Sequence, residues 1–166
     1  DHGLYIKGPF LYDEAVRVPL IVSCPGVVPE GERSPALVEL NDLAPTVLDA
    51  AEVERHHGMQ ARSLWPILTG NDDPSQFRDD VYCEYYNSNP DSPPKYLTMV
   101  RTHRHKAIVC HGMDTGELYD LEEDPGEHHN LWNDPSCADV KMQMLKRVCD
   151  RMAQTCDPLP PRIGIY

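Results

Sequence analysis

The sequence predicts an α/β chain in two parts: an α/β portion over residues 1–79, then a small antiparallel β-sheet subdomain with a C-terminal helix over residues 80–166. Three observations carry this expectation. Val18-Pro19-Leu20-Ile21-Val22-Ser23 is a continuous apolar run closed by Pro25-Gly26, the pattern of a strand buried on both faces of a parallel sheet. From about Asp80 the pattern changes to short β-prone runs separated by turn formers. Val140, Met144, Val148 and Met152 then form one apolar stripe at helical spacing.

After the first strand, residues 25–35 are rich in Pro, Gly and charge and read as a loop before the short alternating stretch Leu37 to Leu40. Asp42 is placed to cap a half-buried helix in which Leu43, Val47 and Ala51 share one face, and Pro45 falls in its first turn, where a missing N–H costs little. A polar break from Glu52 to Gly58 leads to Arg62–Gly70, a short turn or helix against a core, and Gly70-Asn71-Asp72-Asp73-Pro74 is a second loop. The antiparallel meander follows: Val81–Tyr86, Tyr96–Thr102, His105–His111 and Glu117–Leu121. Thr102-His103-Arg104 is short enough for a hairpin, Gly112 to Gly116 makes the next turn, and Asp124-Pro125-Gly126-Glu127 fits a turn with Pro pre-set and Gly at positive φ. Asp134 and Pro135 start the terminal helix, which should pack across the meander, and Asp157-Pro158-Leu159-Pro160-Pro161 stops it. There is no internal repeat and no low-complexity tract.

Composition narrows the partners. With 15 Lys plus Arg against 27 Asp plus Glu, the formal charge of −12 repels nucleic-acid phosphates and anionic membrane surfaces. No apolar run approaches the roughly 20 residues a membrane span needs. The opening Asp1-His2-Gly3 has no initiator Met and reads as a cut chain, so the lack of a signal peptide leaves localisation open. The six cysteines form no Cys-x-x-Cys pair, which speaks against a zinc ribbon or thioredoxin-like site, and several sit where an apolar residue would serve; free thiols are favoured over disulfides.

The informative stretch is Asp1-His2-Gly3-Leu4-Tyr5-Ile6-Lys7, continuing through Phe10-Leu11-Tyr12-Asp13-Glu14 to Arg17-Val18-Pro19-Leu20. Further blocks follow in order: Asp42-Leu43-Ala44-Pro45-Thr46, Gly58-Met59-Gln60-Ala61-Arg62-Ser63-Leu64, Met99-Val100-Arg101-Thr102 with Lys106, Gly116-Glu117-Leu118-Tyr119-Asp120-Leu121, and Asp124-Pro125-Gly126-Glu127 with Asn130-Leu131. Any one block is weak, because packing alone can produce it. Together and in order they resemble the sulfatase family of the alkaline-phosphatase-like superfamily, over most of the chain. The resemblance implies the C-terminal part of an alkaline-phosphatase-like sulfatase fold followed by the small sheet.

Lys7 is the residue the resemblance assigns to chemistry, contacting the sulfate and supporting departure of the leaving oxygen; fixed positive charge is what redistributing charge on sulfate oxygens requires. The plain alternative is a solvated surface lysine. Asp1-His2 invites assignment as ligands of the family's divalent cation, usually calcium. Yet only the second acidic-His pair of the family pattern stands six residues before the lysine, as Asp1 does here. His2 is therefore assigned at best to the pocket lining, with a structural turn as its alternative, and no residue of this chain is assigned to metal. Arg17 is favoured as a structural partner of a carboxylate. The cluster Lys95, Arg101, His103, Arg104, His105 and Lys106 is basic enough to meet a sulfated substrate, though a solvated hairpin tip is favoured. His56-His57 and His128-His129 read as solvated loops, and Asp120 to Glu127 as a turn rather than an EF-hand.

The implied parent hydrolyses a small-molecule or glycan sulfate ester through a formylglycine nucleophile and calcium, both supplied by sequence outside this chain. No Cys/Ser-x-Pro/Ala-x-Arg motif occurs here, so the isolated chain should be inactive. The rivals are a phosphonate monoester or phosphodiester hydrolase of the same superfamily, and a non-catalytic carbohydrate-binding or interaction module using the basic cluster with Tyr82, Tyr85, Tyr86 and Tyr96.

Overall fold

The computed structural model describes residues 2–5, 8–86 and 95–156. Its centre is a four-stranded antiparallel sheet in simple meander order, β1 (Val81–Tyr86), β2 (Tyr96–Arg101), β3 (His105–Cys110) and β4 (Gly116–Asp120). The β-branched and aromatic runs predicted these strands, and the Thr102–Arg104 turn closes the β2–β3 hairpin, with Thr102 N–H donating to the His105 carbonyl at 2.8 Å.

Side chains alternate between the two faces of the sheet, and each face has its own cover. Helix α4 (Ala138–Gln154) lies on one face, where Met144 and Val148 pack with Val100, Ala107 and Leu118. This is the predicted stripe in its predicted place. Asp134 accepts from Ser136 N–H at 2.8 Å and starts a short 3-10 turn that runs into the helix. The Pro-rich stop after Cys156 lies outside the described residues.

The opposite face is covered by the N-terminal segment: Leu11 joins Leu97, Met99, Ile108 and Tyr119 in a core, with Tyr12 and Val16 packed against it. Beyond the short helix α1 (Asp13–Val16), the predicted strand at Val18–Ser23 is not formed. Those residues have no strand partner among the described residues, and Ile21 is 90% exposed. An apolar run becomes a parallel strand only beside neighbouring strands, and the meander offers none in that orientation. The alternating stretch before Asp42 is likewise not a strand.

Helix α2 (Leu43–Ala50) exists where predicted but is turned over: Pro45 and Thr46 are buried, while Val47 points to solvent. Asp42 makes no cap bond to α2. It is fully buried, accepting from Glu39 N–H at 2.8 Å, from Arg62 N–H at 3.0 Å and from the Arg78 guanidinium at 2.7 Å. Thr46 Oγ1 in turn accepts from Leu64 N–H at 2.7 Å. These buried polar bonds, rather than the apolar stripe, set the helix's inward face. Helix α3 (Trp65–Leu68) matches the predicted short element. Arg78 and Arg151 both pair with Glu39, and Glu39 Oε1 accepts from Tyr82 N–H at 2.8 Å, so an ionic chain ties this region to β1 and α4. The six cysteines are all free. Among the described residues no helix is long and apolar enough to cross a membrane.

Candidate functional site

The sheet face under the N-terminal segment carries an unusual set of polar groups. Arg101 and Lys106 are direct cross-strand neighbours, Lys106 is paired with Tyr119, and Ile108 with Glu117. Alternation therefore sends Arg101, Lys106, Tyr119 and Glu117 toward α1. Lys106 has no exposed side-chain surface. Its ammonium sits 2.9 Å from Asp13 Oδ1 and 2.6 Å from Glu127 Oε1, and Glu127 is itself buried. The second oxygen of Glu127 accepts from Asp13 N–H at 2.7 Å.

This last bond replaces a local cap. The first N–H groups of a helix lack partners, and Tyr12, at the N-cap position of α1, makes no side-chain cap bond. A carboxylate 114 residues away in sequence does so instead. Asp13 is held further by Arg101 at 3.4 Å and, more loosely, by Arg17 at 3.8 Å. Burial alone would raise the Asp13 carboxyl, but Lys106, Arg101 and Arg17 together hold it below the usual carboxylate range. Glu117, with fewer cations to offset its burial, is pushed upward. Its Oε2 accepts from the Tyr119 hydroxyl at 3.0 Å, and burial with the Glu117 charge pushes that phenol far up.

Two sequence expectations change here. The basic cluster divides: Lys95, His103 and Arg104 are exposed, as a solvated hairpin tip requires, with Arg104 held by Asp120 at 2.9 Å and Glu122 at 3.4 Å, whereas Lys106 and Arg101 turn inward to Asp13. A residue beside a tight turn still alternates faces, and one face of this hairpin is covered. Nor does Gly126 take the positive φ of its turn; Glu127 does, at 56°. A Cβ at Gly126 would lie 2.8 Å from the tip of the exposed His128 ring, which would have to turn aside. The left-handed backbone at Glu127 aims its carboxylate at Lys106 and α1. Arg17 does pair with a carboxylate, although its own side chain is 75% exposed.

His2 sits beside this network. With Gly3 it forms a turn of two positive φ values, 51° and 67°, and its ring stacks on Tyr12 at 3.8 Å between centroids. Its Nε2 is buried without a hydrogen-bond partner, 3.6 Å from Glu14 Oε2, and its ring is 5.1 Å from that of His128. Lys7 lies outside the described residues. In sequence it falls between His2 and Tyr12.

One atom each from His2, Glu14 and Glu127 lie within 4.8 Å of one another, a spacing that could suit a metal. The chemistry of the set does not fit one. Both Glu127 oxygens are already engaged, by Lys106 and by Asp13 N–H, so the lysine ammonium is the resident cation. Calcium in particular prefers oxygen-only shells.

The N-sulphoglucosamine sulphohydrolase C-terminal family model matches residues 1–154, spanning the α1 segment, the network and the sheet. The chain belongs to this family. An N-acetylglucosamine-6-O-sulfatase of Bacteroides thetaiotaomicron is 31% identical over 162 residues, covering 96% of this chain and 29% of that protein. The uncharacterized sulfatase YidJ of Escherichia coli is 30% identical, covering 95% of this chain and 30% of that protein. Among solved structures, BT4656 in complex with its substrate D-glucosamine-2-N,6-O-disulfate superposes with a TM-score of 0.79 at 31% identity, over 87% of this chain and 30% of that one. A phosphonate monoester hydrolase from Silicibacter pomeroyi superposes with a TM-score of 0.78 at 27% identity, over 90% of this chain and 31% of that one. The chain thus spans about a third of the length of these relatives.

As a sulphohydrolase C-terminal region, the chain gives its separate motif blocks a shared purpose. The Tyr12-Asp13-Glu14 stretch, Arg101 with Lys106, and Asp124 to Glu127 converge on one buried ionic cluster. Nothing local in the sequence connects these blocks to one another. The available signal was a lysine inside a strand, where full burial demands a carboxylate partner.

Proposed function

We propose that the full-length protein is a sulfatase that hydrolyses a sulfate ester of a small molecule or glycan. The match of the sulphohydrolase C-terminal model to residues 1–154 carries this reading. The sulfated amino-sugar chemistry named for the N-acetylglucosamine-6-O-sulfatase and for the BT4656 complex makes an amino-sugar sulfate the first substrate to try. The formylglycine nucleophile and calcium would come from residues outside this chain, for the donors described here do not suit calcium. When bound, calcium would neutralise charge on the sulfate oxygens.

In this reading Lys7 donates to a sulfate oxygen and stabilises the charge that grows on the leaving oxygen, and His2 lines the pocket through its buried, unpartnered Nε2. The α/β catalytic portion ends near residue 79, and residues 80–166 form the accessory sheet with its helix. Replacing Lys7 in the full-length protein tests the assignment: Lys7→Ala should lower kcat for a sulfate ester by about 100-fold or more, the scale of losing one oxyanion donor. Activity within about threefold of wild type would remove Lys7 from the chemistry.

A second reading has its own support. The similarity to the Silicibacter pomeroyi phosphonate monoester hydrolase makes a tetrahedral phosphorus ester the alternative substrate. The binding-module reading has less support: Arg101, Arg104 and Lys106 of the basic cluster are paired with carboxylates, although Lys95, His103, Tyr86 and Tyr96 are exposed.

A further inference from the structure

We propose that Lys106 and Glu127 are positioning residues: they pin the segment of residues 8–16 to the small sheet and thereby hold His2, stacked on Tyr12, in register with the catalytic cleft. The inference rests on the sulfatase reading for its catalytic consequence, and on geometry alone for the pinning.

The segment has few other attachments of comparable strength. Its helix α1 is only four residues long, too short to hold its own shape in water. Leu11 reaches the core, but the backbone of α1 is fixed by the bond from Asp13 N–H to Glu127 Oε2, and its side chain by Lys106 and Arg101. Lys106 is held in the middle of the sheet by β2 and β4 on either side, so its position is rigid. Glu127 reaches the cluster only because its backbone takes a left-handed conformation that costs free energy for a residue with a Cβ. A strained residue whose carboxylate caps a distant four-residue helix is difficult to explain by sheet stability alone, since the sheet already has α4 and Leu11 as covers. Tyr12 then carries the constraint to His2 through the stacked rings.

Hydrogen exchange and kinetics on the full-length protein test the proposal. Glu127→Gln is nearly isosteric and keeps an acceptor for Asp13 N–H while removing the charge. It should speed amide exchange in peptides covering residues 2–16 by about tenfold or more, with peptides from α4 unchanged. On a sulfate ester it should lower kcat by about tenfold while KM moves less than about threefold, and Lys106→Arg should be closer to wild type than Lys106→Met. Should Lys106→Met fail to fold, Lys106→Met with Glu127→Gln removes the unpaired charge and serves in its place. Exchange in residues 2–16 that stays at the wild-type rate, or rises only in step with α4, overturns the pinning. Faster local exchange with unchanged kcat overturns the catalytic consequence. A wild-type protein inactive on sulfate esters sinks the sulfatase reading, while the exchange result still decides the pinning.

Discussion

Replacing Lys106 with Met should destabilise the protein more than any other single change to the sheet. The side chain has no exposed surface and pairs with two carboxylates, at 2.9 Å and 2.6 Å. Methionine fills much of the same volume, so the loss is electrostatic. Asp13 would keep Arg101 at 3.4 Å, whereas the fully buried Glu127 would keep only the Asp13 N–H at 2.7 Å. Breaking a buried pair from one side costs about 3–5 kcal/mol. At about 2–4 °C per kcal/mol for a domain of this size, the transition that reports the small sheet should fall by roughly 6–20 °C. Removing both charges, as in Lys106→Met with Glu127→Gln, leaves less buried charge uncompensated and should recover a good part of that loss. Differential scanning calorimetry of the three full-length variants measures this. A Lys106→Met transition within about 2 °C of wild type, or a double variant less stable than the single by the full sum, would refute the idea of a tightly coupled buried pair.

Three further outcomes are expected. Gly116→Ala places a Cβ 2.6 Å from two atoms of the Trp132 indole, which is also held by Lys141 over its ring, so it should cost about 1–3 kcal/mol; denaturation should show the cost shrinking in a Trp132→Ala background. Burial raises the folded-state pKa of Glu117 above its unfolded value, so the native state binds the extra proton and stability falls as pH rises through that window; Glu117→Gln should raise the melting temperature at pH 7, and a gain that persists undiminished in acid below the normal Glu range would contradict this. The chain expressed alone should associate through its exposed Val18, Leu20, Ile21 and Val22, and a monodisperse monomer in light scattering would count against that surface being sticky.

The elements most legible in the sequence were those whose signal is local. The terminal helix stripe and the meander turns are fixed by periodicity and turn chemistry, and both are found where expected. Val18–Ser23 was not, because an apolar run states that burial is wanted without stating against what, and the described residues supply no parallel neighbour. The apolar spacing of α2 points to the wrong inward face for a related reason: Asp42 and Thr46 make buried bonds to Arg78 and Leu64, partners 36 and 18 residues away that no local pattern reveals. The ionic cluster of Asp13, Lys106 and Glu127 spans 114 residues, and its members sit in three motif blocks. Resemblance drew attention to the blocks; folding was needed to bring them together. The sequence assigns His2 at best to a pocket lining, with a structural turn as its alternative; the structure shows a turn of two positive φ values that stacks the ring on Tyr12.

The most direct measurement is sulfate release from a 6-O-sulfated glucosamine by the full-length protein, followed beside hydrolysis of an aryl phosphonate monoester. Saturable sulfate release with the higher kcat/KM is the predicted result. Turnover of the phosphonate alone, with no sulfate released, would contradict it.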